Sequence, residues 1–249
     1  MTARDSQILC GLFLSKYNEQ GLVALGFESF AEAYNVLGSA LNVPPATIKN
    51  YRDELDPYFP NRRKGWYQRP LREHCETVLT QYGDLPLSEL TVIIKTLFDP
   101  VADLFEDAGR RDDEQDEAGH SPFAKRLVTG RAAEGFFRTN YHTHQELSGG
   151  LLIDTTQTGC GFDFRINFSD RAIFYAVEVK GLFDSSGNIM LTEKEHRRAD
   201  QFRDRYLLYV VRNFREVPFA SIWRDPLNCD LKWDLLSQQQ TINSWRTGL

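Results

Sequence analysis

An α/β domain, a mixed sheet flanked by helices, is predicted for the second half of this 249-residue chain, behind a separate all-α domain in the first half. Three observations predict it. Apolar residues recur at helical spacing through roughly the first hundred positions. A charged stretch at 106–122, EDAGRRDDEQDEAGHSP, then interrupts them without an apolar face. Beyond it the apolar period shortens to two over TGCGFDFRINF and IFYAVEVKG.

Composition supports a folded chain. With 41% hydrophobic and 26% charged residues there is enough apolar material for a core and none of the bias of collagen or disorder. The N-terminal segment is too polar for a signal peptide, and no run of about 18 apolar residues occurs, so a soluble cytoplasmic protein with no membrane partner is expected. Cys10, Cys75, Cys160 and Cys229 stand far apart with no C-x-x-C pair, which points to reduced structural thiols. The net charge of −6 is unevenly spread. Residues 1–105 carry 10 basic and 13 acidic side chains, 106–122 carry 2 and 7, and 123–249 carry 17 and 15. Most of the acidity therefore sits in 106–122, read as a solvated linker between domains 1–105 and 123–249.

In the first domain Ile8, Leu9, Leu12 and Phe13 mark one helix, and Phe30, Ala33, Tyr34, Leu37 and Leu41 a second. Asn42, Val43 and Pro44 break the chain, and Pro45 opens a third helix at its first turn. This is helix-turn-helix phrasing. Ile48, Tyr51 and Leu55 would face inward, leaving Thr47, Lys49, Asn50, Arg52 and Asp53 outward, where a recognition helix carries base-reading side chains. Helical hairpins without a DNA partner look alike, so the segment alone leaves both readings open. The next stretch favours nucleic acid. From Lys49 to Arg72 seven basic residues face three acidic ones, and the loop with Arg62, Arg63, Lys64, Trp66, Tyr67 and Arg69 interleaves cations with rings able to stack on bases. The later apolar positions Leu79, Leu87, Leu90, Ile93, Ile94 and Leu97 continue the helical pattern.

The second domain opens on a helical segment, AKRLVTGRAAEGFFRTNYHTH. In the first predicted strand Cys160, Phe162, Phe164, Ile166 and Phe168 alternate with polar residues, and a turn at Ser169, Asp170 and Arg171 follows. In the second, Phe174, Ala176, Glu178 and Lys180 share one face. A short strand at Ile189–Leu191, a polar helix from Thr192 to Arg205, the apolar strand YLLYVV and a last strand ASIW complete the sheet. Asp163 would then converge with Glu178 and Lys180 from neighbouring strands. Two carboxylates make a hard oxygen site suited to Mg²⁺, and a lysine beside them can orient a water attacking phosphorus. An Asp, then fourteen residues, then Glu-x-Lys also occurs as a surface ion pair, which stays open on these residues alone.

Other groupings carry less. His142 and His144 have no third ligand nearby. Arg197 and Arg198, with His196, Arg203 and Arg205, make a basic helix face that could contact phosphate or pair with Asp200 and Asp204. Gly149-Gly150 lacks the Lys-Ser/Thr of a phosphate loop, so no ATP motor is expected.

The combination of GFDF and AVEVKG on consecutive strands, Glu134 in the preceding GRAAEGFF and the following LTEKEHRRADQFRDRYLLYVV resembles the PD-(D/E)xK nuclease superfamily. More narrowly, residues 123–226 are similar to the C-terminal domain of NO VEIN-type proteins, found also in restriction systems. The resemblance implies a restriction-endonuclease-like fold, Asp163 and Glu178 as Mg²⁺ ligands, Lys180 serving the nucleophilic water, and Glu134 on the first core helix near the metal or the lysine. Phe162 stands where the superfamily's proline would, and Gln201 and Tyr206 are one residue too far apart for the Gln-x-x-x-Tyr of some relatives. The expected function is a Mg²⁺-dependent endonuclease cutting double-stranded DNA at recognised sites as a homodimer, with a partner methyltransferase left open. The alternatives are a non-catalytic DNA-binding module on a nuclease-like scaffold, or a structure-specific repair nuclease.

Overall fold

The computed structural model describes residues 1–98, 121–169 and 173–235. The expected linker at 106–122 lies outside them but for its last two positions, as do Asp170 and Arg171 of the expected turn.

Helix α1 (Ala3–Leu25) starts at a Thr2–Asp5 capping box and ends at Gly26 in the left-handed region. Its apolar face, Ile8, Leu9, Leu12 and Phe13, is fully buried. Helices α2 (Phe30–Ala40) and α3 (Pro45–Leu55) form the expected helix-turn-helix, α2 capped by Ser29 and α3 opened by Pro45. Helices α4 (Glu73–Tyr82) and α5 (Leu87–Phe98) complete the helical lobe, burying Val78, Leu90 and Ile94.

Helix α6 (Pro122–Leu127) begins where Ser121 both caps Ala124 and donates to the Leu25 carbonyl at 3.0 Å, which ties it to the end of α1. A π-helical turn, Val128–Ala132, leads into α7 (Ala133–Asn140). Strands β1 (Leu151–Asp154), β2 (Phe164–Asn167), β3 (Phe174–Gly181), β4 (Tyr206–Arg212) and β5 (Phe219–Arg224) form one sheet in the order β1-β2-β3-β4-β5. The β3–β4 pair is parallel and the others antiparallel, so the sheet is mixed, as the sequence predicts. Helix α8 (Glu193–Phe202) is the crossover between the parallel strands.

Two sequence expectations are corrected. Ile189–Leu191 is not a strand: Met190 is exposed, and so short an apolar run has no partner to bury it. A strand that the apolar pattern does not announce, β1, pairs with β2 instead. The first predicted strand is also shorter, because Cys160 and Phe162 lie in a loop ahead of β2.

One face of the sheet carries Phe164, Ile166, Val177, Val179, Leu207, Tyr209 and Val211, which pack against α7. Phe137 sits 4.8 Å, centroid to centroid, from both Phe164 and Tyr209. Each such buried ring contributes about 1.5–3 kcal/mol by leaving water. The same apolar cluster runs without interruption into the helical lobe. Asn35 of α2 donates to the carbonyls of Phe214 and Glu216 at 2.9 and 2.7 Å, and α2 lies directly on α7. Gly135 makes that approach possible, since a Cβ there would meet the Ser39 carbonyl oxygen at 1.8 Å. The opposite face carries Ala176 and Tyr206 under Ala199 of α8, with Phe162, Phe174 and Phe202 around them.

Candidate metal and nucleic-acid sites

The alternation of β3 sends Glu178 and Lys180 to the α8 face of the sheet. Asp163 lies just before β2, one residue beyond the Phe164–Val177 rung. A loop delivers it there. Gly161 turns that loop with φ +89°, where a Cβ would press on Arg198 Cγ at 2.7 Å. Tyr206 donates to the Gly161 carbonyl at 3.2 Å, and Arg198 Nε to that of Cys160 at 2.9 Å. Asp163 is then pinned by its own carboxylate, which accepts the Val179 amide at 2.8 Å.

Glu178 is 3% exposed, and its Oε1 pairs with Lys180 Nζ at 2.7 Å. Burial pushes its carboxyl up to about 8, with the Asp163 charge as the next cause and Lys180 opposing. Burial likewise raises Asp163 to about 6, against the Val179 amide and with the Glu134 charge adding to the rise. Lys180 has a second partner, Glu195 of α8, 2.7 Å from its Nζ, and these acidic neighbours outweigh burial to hold the lysine above its ordinary value. The Tyr206 hydroxyl is raised by burial and by the charges of Glu178, Glu195 and Asp163 around it.

The donor set fits a divalent cation. A buried carboxylate, Glu178, and a half-buried one, Asp163, on adjoining segments repel one another, and each has one oxygen engaged, by Val179 N or by Lys180 Nζ, and one oxygen without a hydrogen bond among the described residues. No cluster of three or more His, Cys, Asp or Glu residues arranged for a metal occurs among the described residues. Mg²⁺ does not require one, since it keeps several waters and takes one or two carboxylates.

Glu134 stands on α7, as the resemblance implies, near enough for its charge to act on Asp163. It pairs with Arg138 at 3.1 Å, and Arg138 pairs with Asp154 of β1 at 2.8 Å. Asp154 and Glu195 are acidic residues beside the site to which sequence reasoning gives no role. The signal for Glu195 is present in LTEKE, which is a capping box. His144 is a packing residue, 3.1 Å from the Tyr209 hydroxyl and lowered in pKa by burial. A cavity of about 380 Å³ beside Phe168, Tyr175, Leu207 and Arg224 lies on the other face of the sheet, away from the carboxylates.

The helix-turn-helix presents fewer cations than its sequence suggests. Arg52, expected outward, is 6% exposed: its guanidinium stacks 3.4 Å from the Phe30 ring centroid and bonds Tyr34 and Asn18. Arg63 is turned inward onto Asp56 and Asn18, and Arg72, itself exposed, is engaged by the buried carboxylate of Glu54. The Arg52 and Arg63 contacts brace α1 at Asn18, whose φ of 50° kinks the helix. The positions left outward are Asn50, Arg62, Lys64, Tyr67 and Arg69, with Thr47 and Trp66 half-buried and Lys49 paired to Asp53 at 2.6 Å. The Arg69 guanidinium lies 5.1 Å from the Trp66 ring and Lys64 Nζ 5.8 Å from that of Tyr67. On α8, Arg197 is exposed and pairs with Glu193, whereas Arg198 is committed to the Cys160 carbonyl.

Fold and site together define a mixed α/β domain with a buried carboxylate–lysine cluster at the sheet's centre. Residues 134–223 match the family profile described as Protein NO VEIN, C-terminal. That span runs from Glu134 on α7 to Trp223 on β5 and contains Asp163, Glu178, Lys180 and Glu195, and it leaves the helical lobe outside. No curated protein and no solved structure matches the chain. All four cysteines are free, and among the described residues no helix is long and apolar enough to cross a membrane.

Proposed function

We propose that the chain is a Mg²⁺-dependent endonuclease of restriction type that hydrolyses phosphodiester bonds in double-stranded DNA. The observation that carries this reading is the meeting of Asp163, Glu178 and Lys180 on one face of the sheet beneath α8. A surface ion pair does not need Glu178 buried, nor a second carboxylate beside it. Asp163 and Glu178 would hold Mg²⁺, which supplies charge screening of the phosphate and a lowered pKa for the attacking water. Lys180 places a cation at the nucleophile, where it orients the water and offsets the negative charge that develops on phosphorus oxygens. The Val179 amide fixes Asp163, so one ligand is positioned by the strand that carries the other.

The helical lobe would grip the duplex. Lys49, Arg62, Lys64 and Arg69 would supply the phosphate contacts, and on α3 the exposed Asn50, with the half-buried Thr47 beside it, would meet base edges. Contact between α2 and α7 sets the distance from the gripping surface to the carboxylates. One cluster cuts one strand, so a double-strand break calls for two copies. Purified protein incubated with Mg²⁺ and duplex DNA tests the reading: discrete fragments that disappear with Lys180→Ala support it. DNA retarded on a gel but left whole would favour a binding module, and cleavage confined to ends or junctions a repair nuclease.

A further inference from the structure

Lys180 has one ammonium and two carboxylates, with Glu178 Oε1 and Glu195 Oε2 each 2.7 Å from Nζ. Glu195 is held independently. Its Oε2 accepts the Thr192 amide at 3.0 Å, and Thr192 Oγ1 accepts the Glu195 amide at 3.3 Å, which is the capping box that opens α8. A capping box works with glutamine as well as with glutamate. The charge on Glu195 therefore exceeds what the cap needs, and it is directed at Lys180.

We infer that Glu195 is a positioning residue that holds the Lys180 ammonium on the site face and frees Glu178 to take a divalent cation. The inference rests on the reading of Asp163 and Glu178 as ligands. In the structure Lys180 competes for Glu178, because it occupies one of its two oxygens. If Glu178 were its sole partner, releasing that carboxylate would strand a mostly buried ammonium without a counter-charge. With Glu195 in place the lysine gives up one of two pairs, keeps the other, and remains beside Glu178. The helix cap thus has a second task at the centre of the sheet.

The test uses the full chain with Mg²⁺ alone, then with duplex DNA. Glu195→Gln keeps an acceptor for the Thr192 amide and loses the charge. Expected are a melting temperature close to the parent, calorimetric Mg²⁺ affinity weakened about 10-fold, and kcat lowered by a similar factor with KM for DNA unchanged. Thr192→Val weakens the cap and leaves the charge, so it lowers the melting temperature and keeps Mg²⁺ affinity near the parent. Glu193→Gln removes an exposed charge from the same turn, paired with Arg197, and changes neither. A parent that binds Mg²⁺ together with a Glu195→Gln protein that binds it equally well overturns the inference alone. Equal loss of affinity in Glu193→Gln also overturns it, since general acidity would then suffice. A parent that binds no Mg²⁺ overturns the ligand reading and the inference with it.

Discussion

Asp163 accepts the Val179 backbone amide at 2.8 Å, so a residue outside the strands is fixed to the strand carrying Glu178 and Lys180. The bond separates geometry from charge. Asp163→Asn retains an oxygen for the Val179 amide and should fold and bind DNA like the parent, while cleavage falls by about 100-fold or more. Melting curves, gel retardation and cleavage rates on one preparation check all three.

The carboxylates give the metal-free protein a definite pH dependence. Burial, with the Asp163 charge second, holds Glu178 at about 8, and burial with the Glu134 charge holds Asp163 at about 6. Both lie above the unfolded-chain values of about 4.3 and 3.9. Stability from the protonated forms is therefore fully present below those unfolded values and is lost as pH rises through 6 and then 8. The metal-free melting temperature should fall across that window, and the increment produced by Mg²⁺ should grow across it. An increment independent of pH would contradict the burial of these carboxylates.

Arg52 and the outward cations should behave oppositely. Arg52→Ala leaves Asn18 and Tyr34 without their buried partner and should cost about 2–3 kcal/mol of stability. Arg62→Ala and Lys64→Ala should leave melting unchanged while lowering DNA affinity and reducing the salt slope by about 0.9 for each phosphate that is no longer neutralised. Chemical denaturation and binding isotherms at several salt concentrations distinguish the two kinds of arginine.

Gly135→Ala tests the seam between the lobes. The new methyl would meet the Ser39 carbonyl, which is backbone and cannot swing aside. A cost of about 1–3 kcal/mol is expected from the forced separation of α2 and α7. Calorimetric unfolding measures it, and an unchanged melting temperature would show that the helices do not press on one another here.

Much of this architecture is legible in the sequence because local pattern and burial agree. The alternation through Phe174–Lys180 places Glu178 and Lys180 on one face, and Pro45 marks the start of α3. Strand β1 escapes because Leu151 and Ile153 are exposed on a four-residue edge, so its apolar letters do not report burial. Arg52 reads as outward because its pocket is assembled from Asn18, Phe30 and Tyr34 on two other helices, which no local spacing reveals. Glu195 is visible as part of a cap, but its pairing with Lys180 exists only once the β3–α8–β4 crossover closes.

If Asp163, Glu178 and Lys180 form the cleavage site proposed above, the decisive comparison is the cleavage of duplex DNA in Mg²⁺ by the parent and by Lys180→Ala protein of equal DNA affinity. Fragments from the parent and whole DNA from the variant are expected; whole DNA from both, or equal cleavage by both, would contradict the proposal.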